Sequence, residues 1–298
     1  MSSKKINIWK PFSLKDQQER TMKIENVLSL HFKRNMNEIW IAQEKIKSTE
    51  ETAEQEQSSQ IIESTPGTDD QMPVQAEEGV TIPVPAEQEE KDSRKWARWG
   101  LKSDDCSLRI VPVFPTLPLL VRPEYPFKLV PGATVRFYTR VPVWLQVQDT
   151  LDNNLSITEI PTMELSRTWF GPFTEGELCY WLQTNARRAL RDDLFQDNLC
   201  VCTINISNNS DEELHLEKLC MRVDRMSIYQ KGNQLWANEM DIIHKGGKDF
   251  SEIMVTEKLP DQAKDAVLVS PARNPQRKGI AERTFKMIHD LPGLSSRF

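Results

Sequence analysis

From Val27 to Arg34 the apolar residues Leu28, Leu30 and Phe32 alternate with Ser29, His31 and Lys33. A period of two puts one face of a strand into a core. Asn35-Met36-Asn37 then supplies turn residues, and Ile39 and Ile41 resume the alternation around Trp40. Lys15 to Lys47 is also rich in Lys, Glu, Gln and Met, which favour helix by propensity. The period decides for strand, and predicts a β-hairpin from Met22 to Ala42.

A second dense apolar stretch, Leu108 to Val143, is interrupted by Pro112, Pro115, Pro118, Pro123, Pro126, Pro131 and Pro142. Proline at that density excludes helices and central strands, leaving edge strands, extended segments and turns. Pro131-Gly132 and Asp152-Asn153-Asn154 read as turns, and Thr134 to Val147 as a strand pair bent at Pro142. Cys200 to Ile206 alternates and ends in Asn208-Asn209-Ser210-Asp211; Leu214, Leu216 and Leu219 open the next run, and Lys231-Gly232-Asn233 turns the chain toward Gln234 to Met240. His244 to Asp249, around Gly246-Gly247, reads as a hairpin turn. Helix is expected only near Thr184 to Leu194 and Arg277 to Asp290. The expected fold is mainly β, an antiparallel β-sandwich-like domain with a few short helices.

Composition changes this picture in one place. Between Ser48 and Asp92, thirteen acids face one base, Lys91, with no aromatic residue. Such a segment buries too little apolar surface to offset its ordering entropy and is expected to be disordered. Taking it away from the chain's 38 bases and 44 acids leaves 37 bases against 31 acids, so a chain of net charge −6 contains a basic remainder. The expected organisation is an N-terminal hairpin part (6–47), an acidic linker (48–92), a main β domain (93–260) and a C-terminal extension (261–298) with a helix near 277–290. Loop closure entropy grows only logarithmically, so the first and third parts can form one body around the insert.

The first ten residues hold no apolar run long enough for a signal peptide, and no stretch of about 18 apolar residues occurs, so neither secretion nor a membrane-spanning helix is expected. Five cysteines, Cys106, Cys179, Cys200, Cys202 and Cys220, are odd in number and lie mostly in apolar runs. That fits reduced thiols in a cytoplasmic protein.

Candidate chemistry is sparse. No Walker loop, GxGxxG, GxSxG or HExxH is present, and four histidines are scattered. No catalytic residue, cofactor or metal site is assigned. Cys200 and Cys202 would share one face of a strand, a start for a soft-metal site that lacks two further ligands, and a buried core position explains them as well. The densest aromatic composition is Trp169-Phe170-Gly171-Pro172-Phe173 followed by Tyr180 and Trp181. Gly171 and Pro172 force a turn between two aromatic-rich strands. With Arg187 and Arg188 nearby as anion anchors, these seven side chains form the candidate binding cluster: Trp169, Phe170, Phe173, Tyr180, Trp181, Arg187 and Arg188. Core packing is the competing reading of the aromatics. Arg187, Arg188 and Arg191 stand beside Asp192 and Asp193, which suits a solvated face better than nucleic acid.

Several of these features resemble a prokaryotic family catalogued as domain of unknown function 432. They are Trp9-Lys10-Pro11-Phe12, the hairpin from Met22 to Ala42, Arg109-Ile110-Val111-Pro112-Val113, Trp169-Phe170-Gly171-Pro172, Gly176-Glu177-Leu178-Cys179 and the run Ile204 to Ser210. The acidic insert is longer than the connection the resemblance leads one to expect. The resemblance supplies no catalytic residues. It implies a cytosolic accessory or regulatory role, because genes of the family neighbour those of small mechanosensitive channels. Two functions from different classes follow: a non-enzymatic protein-interaction domain whose partner is another protein, such as the cytosolic face of a membrane channel, and a small-ligand-binding protein or enzyme using the aromatic and arginine cluster.

Overall fold

The computed structural model describes residues 9–24, 27–46, 94–174, 176–183, 185–246, 250–275 and 282–285. The acidic stretch 48–92 lies outside the described residues. The chain is built from strands. The first eleven are β1 (Phe12–Ser13), β2 (Glu19–Ile24), β3 (Leu28–Asn35), β4 (Glu38–Lys45), β5 (Ala97–Gly100), β6 (Ser107–Val113), β7 (Leu119–Val121), β8 (Phe127–Leu129), β9 (Thr134–Pro142), β10 (Trp144–Asp149) and β11 (Leu155–Pro161). The others are β12 (Arg167–Phe170), β13 (Glu177–Trp181), β14 (Leu199–Asn208), β15 (Leu214–Leu216), β16 (Leu219–Met221), β17 (Ile228–Lys231), β18 (Gln234–Ala237), β19 (Met240–His244), β20 (Phe250–Val255), β21 (Val267–Ser270) and β22 (Glu282–Phe285).

The predicted hairpin is there, extended into a meander β2-β3-β4 that takes β5 as its fourth strand from beyond the insert. Its turn is two residues long, with Met36 at φ 53°. Leu28, Leu30, Phe32, Ile39 and Ile41 go into a core completed by Leu108, Ile110, Leu145, Val147 and Ile160 of a second sheet, β1-β6-β10-β11. Residues before and after the acidic stretch thus share one core, because a lone meander has nothing to cover its apolar face.

The second, larger core lies between the sheet β12-β13-β7-β16 and a sheet centred on β14. β14 pairs antiparallel with β9 along its full length, while β18 and β19 follow one another in parallel along its other side. A strand so enclosed is buried on both faces, which explains why Leu199 to Ile204 are all buried and why the run reads as the strongest β signal in the sequence. The turns at Gly132 (φ 74°), Asn153 (φ 51°), Asn154 (φ 57°) and Gly232 (φ 59°) fall where turn chemistry put them.

Four expectations need correction. The Pro-dense stretch does supply inner strands, β6 between β1 and β10 and β7 between β13 and β16; Pro112 is tolerated because β1 pairs β6 only at Ser107 and Leu108, and β7 lies between Pro118 and Pro123. Thr134 to Val147 gives two strands that do not pair with each other: β9 joins β14 whereas β10 joins β6 and β11, with buried Val143 at the crossing. Where a helix is expected over 184–194, the described residues 185–191 run as a non-helical segment. Its Ala186 and Arg187 exchange main-chain hydrogen bonds with Arg122, Glu124 and Tyr138 at 2.7–2.8 Å, so those groups cannot close helical turns, and only Asp192–Leu194 winds into a single 3-10 turn. Within the helix expected near 277–290, residues 282–285 form β22, paired with β20; the rest of that span lies outside the described residues. β21 also joins the large sheet through β17.

Candidate functional site

The turn at Gly171-Pro172 joins β12 to β13 as an antiparallel hairpin in the register Trp169↔Leu178 and Phe170↔Glu177. Gly171 takes φ 105°, a backbone region that side chains disfavour. Gly176 is constrained differently. Its N–H donates to Pro172 O at 2.7 Å, and the Trp169 indole lies so close above it that a Cβ there would sit 2.3 Å from Trp169 Nε1. Trp169 Nε1 in turn donates to Pro172 O at 3.1 Å, which fixes the ring on the loop.

Alternation divides the hairpin into two faces. On one, Tyr180 packs against Trp144 in the large core, but further out Trp169 and Leu178 overhang it and are 50% and 41% exposed. Phe173, at the tip, is 94% exposed. On the other face Phe170 and Cys179 are buried with Leu120 and Cys220, beside partly buried Trp181, whose ring carries the Arg122 guanidinium at 4.9 Å. Among the described strands β12 is the end of its sheet, so its outer edge is unpaired.

The seven residues of the candidate cluster therefore separate into three settings. Trp169 and Phe173 form an exposed apolar tip, Phe170, Tyr180 and Trp181 pack into cores, and Arg187 and Arg188 lie elsewhere. The two arginines line a concavity of about 270 Å³ with Tyr125, Phe127, Phe137 and Arg191. Arg188 stacks on Phe127 at 5.3 Å. Arg187 also borders an adjoining hollow with Arg140 and Asn185. It donates to Asp193 Oδ2 at 2.6 Å, and that hydrogen bond holds the Asp193 carboxyl below its ordinary range. Sequence reading missed Tyr125 and Arg140 because the contacts run between Pro-rich loop, β9 and the segment after β13, with no local spacing to reveal them.

The cysteines are reduced and buried. Cys200 and Cys202 do share a side of β14, inside the large core; burial, reinforced by the neighbouring Cys202, pushes the Cys200 thiol up. A different pair converges. Cys179 of β13 and Cys220 of β16 approach Glu177, the three ligand atoms lying within 4.8 Å of one another. Arg222 donates to both oxygens of Glu177, at 2.8 Å from Nη2 to Oε1. The Cys220 thiol is pushed up by its hydrogen bond with Cys179 and by burial. Nothing in the sequence spacing announces this group, because β7 lies between its two strands.

Among the described residues, fold and surface define a mainly β protein with two large cores and an exposed aromatic hairpin tip. The family model described as "Protein of unknown function (DUF432)" matches residues 8–289, nearly the whole chain, and the chain belongs to that family. No curated protein and no solved structure matches it. Among the described residues, no helix is long and apolar enough to cross a membrane.

Proposed function

We propose that this protein is a non-enzymatic, cytoplasmic interaction module that docks a partner protein on the tip of the β12–β13 hairpin, with Trp169 and Phe173 as anchors. The observation that carries this reading is the solvent exposure of Phe173 beside half-exposed Trp169, whose indole donates to Pro172 O at 3.1 Å. Large aromatic side chains are what binding hot spots are enriched in, since each buries much apolar area for few rotatable bonds. The open edge of β12 adds main-chain groups to which an extended partner segment can pair. The partner we propose is the one the resemblance suggests, the cytosolic part of a small mechanosensitive channel, with an accessory or regulatory role.

The test is binding of the purified full chain to that channel portion from the same host. The double variant W169A/F173A should bind at least about thirtyfold more weakly, the loss expected of a hot-spot truncation of about 2 kcal/mol. Unchanged affinity in the double variant contradicts the reading, as does wild-type protein that does not bind.

The arginine-lined concavity supports a second reading, a site for a small anionic ligand held by Arg187, Arg188 and Arg191. Inorganic phosphate or pyrophosphate should then raise the thermal midpoint of the wild type and leave R188A/R191A unmoved.

A further inference from the structure

Glu177, Cys179 and Cys220 are three groups of ligand chemistry gathered on the inner face of the β12–β13 hairpin, beneath and apart from the docking tip. β7 pairs with β13 through Tyr180↔Leu119 and with β16 through Cys220↔Leu120, so the two cysteine-bearing strands flank β7 on opposite sides. Two strand spacings separate their backbones by roughly 9–10 Å. A direct disulfide needs Cα atoms within about 7 Å, so these thiols cannot close one without moving the sheet. Their sulfur atoms nevertheless converge to within 4.8 Å. Cys220 Sγ lies 3.9 Å from Glu177 Oε1. In a tetrahedral zinc site, bonds of about 2.3 Å to sulfur and 2.0–2.2 Å to oxygen put neighbouring ligand atoms roughly 3.6–3.8 Å apart. At 4.8 Å or less the three atoms stand at most about 1 Å wider than that, joined by weak thiol hydrogen bonds whose protons an ion would replace.

We propose that Cys179, Cys220 and Glu177 bind a thiophilic divalent cation of the zinc class, with the fourth position open to water or another ligand. Phe170, Leu120 and Trp181 exclude solvent from the sulfur side. The Glu177 side chain is 23% exposed and gives the ion its route in. Arg222 orients the carboxylate through both oxygens, each of which keeps a lone pair for the metal. Charge closes as well: two thiolates, one carboxylate, one guanidinium and one divalent ion sum to zero. Binding releases the two thiol protons to solvent and changes no oxidation state. Cys200 and Cys202 are the internal contrast, since they sit side by side within the large apolar core and, among the described residues, no carboxylate joins them.

The experiment is titration of the reduced, metal-free full chain with cobalt(II) alone, followed by displacement with zinc(II). A single equivalent of cobalt should give a thiolate-to-metal charge-transfer band and the intense d–d absorption of a tetrahedral site, both abolished by zinc. C179S and C220S should each lose the charge-transfer intensity of one thiolate and the zinc-dependent rise in thermal midpoint, E177Q should weaken binding without removing the band, and C200S/C202S should behave as wild type. Alkylation followed by mass spectrometry covers the case in which a serine variant fails to fold: zinc should protect Cys179 and Cys220 of the wild type. Absence of the charge-transfer band, its survival in C179S/C220S, or equal alkylation of both thiols with and without zinc would overturn the site.

Discussion

The β3–β4 hairpin alternates apolar and polar residues around a two-residue turn, whereas the β12–β13 hairpin carries consecutive apolar residues, Trp169-Phe170 and Leu178 to Trp181, around a six-residue connection, and the two dispose of their apolar residues in opposite ways. In the first, Leu28, Leu30, Phe32, Ile39 and Ile41 all enter a core shared with β6, β10 and β11. In the second, alternation buries Phe170 and Tyr180, but Trp169, Phe173 and Leu178 run past the end of the core into solvent. The apolar residues of the first hairpin are required by stability. Those at the tip of the second gain almost nothing from the fold, which directs attention to a partner.

The contrast can be broken hardest at the first hairpin. Phe32 is fully buried and meets Phe12 edge to face at 5.2 Å. F32A should cost about 3–5 kcal/mol, lowering the thermal midpoint by on the order of 10 °C. Residues 93–298 expressed alone should fail more completely, as an aggregating chain with no cooperative melt, because half of that core and the partner of β5 are gone. A soluble fragment melting at the full-length midpoint would show that the first hairpin is an appendage.

A smaller effect is expected at Gly176. A Cβ there would lie 2.6 Å from the Pro172 carbonyl as well as against the Trp169 indole. G176A should cost about 1–3 kcal/mol as an overpacked turn and weaken partner binding by displacing Trp169, both readable in one pair of melting and binding measurements. Smaller still is an ion pair that ties the chain after β21 to β11. Burial would raise the Glu159 carboxyl, but the hydrogen bonds and charge of Arg273, at 2.6 and 2.9 Å, with help from Gln146, hold it below its ordinary value of 4.5. A carboxyl depressed in the folded state stabilises it above the unfolded value, and that contribution disappears as pH falls from about 4.5 through the lowered folded value. E159Q should therefore be less stable than wild type at neutral pH, and the gap should close in acid; a gap that widens in acid would refute the pairing.

The smallest effect is the sharpest. F173A should change stability by no more than about 0.5 kcal/mol, since a side chain 94% exposed contributes little to folding. A loss comparable to that of F32A would mean that the tip packs on the body after all.

Much of the strand pattern was legible because periodicity and turn chemistry are local: the Leu28-Leu30-Phe32 alternation, the turn at Gly232-Asn233 and the Gly171-Pro172 reversal can each be read within ten residues. The segment 184–194 misled because its arginines, alanines and leucines suit a helix, while the main-chain partners of Ala186 and Arg187 lie in the β7–β8 connection and on β9, about fifty to sixty-five residues earlier. The aromatic cluster was legible as composition but could not be sorted, since whether Trp169 or Phe170 faces the core depends on register against β13. The Glu177–Cys179–Cys220 group was invisible for the same reason that it exists, namely that β7 brings two distant strands together.

Site-specific photocrosslinking in the native host tests the docking hairpin most directly, with a photoreactive phenylalanine analogue placed at Phe173 and, as control, at Val267, another exposed apolar position on the end strand β21. A docking tip predicts one crosslinked partner of defined mass from position 173, lost when Trp169 is changed to alanine, and none from position 267. No product from position 173, or the same product from both positions, would contradict it.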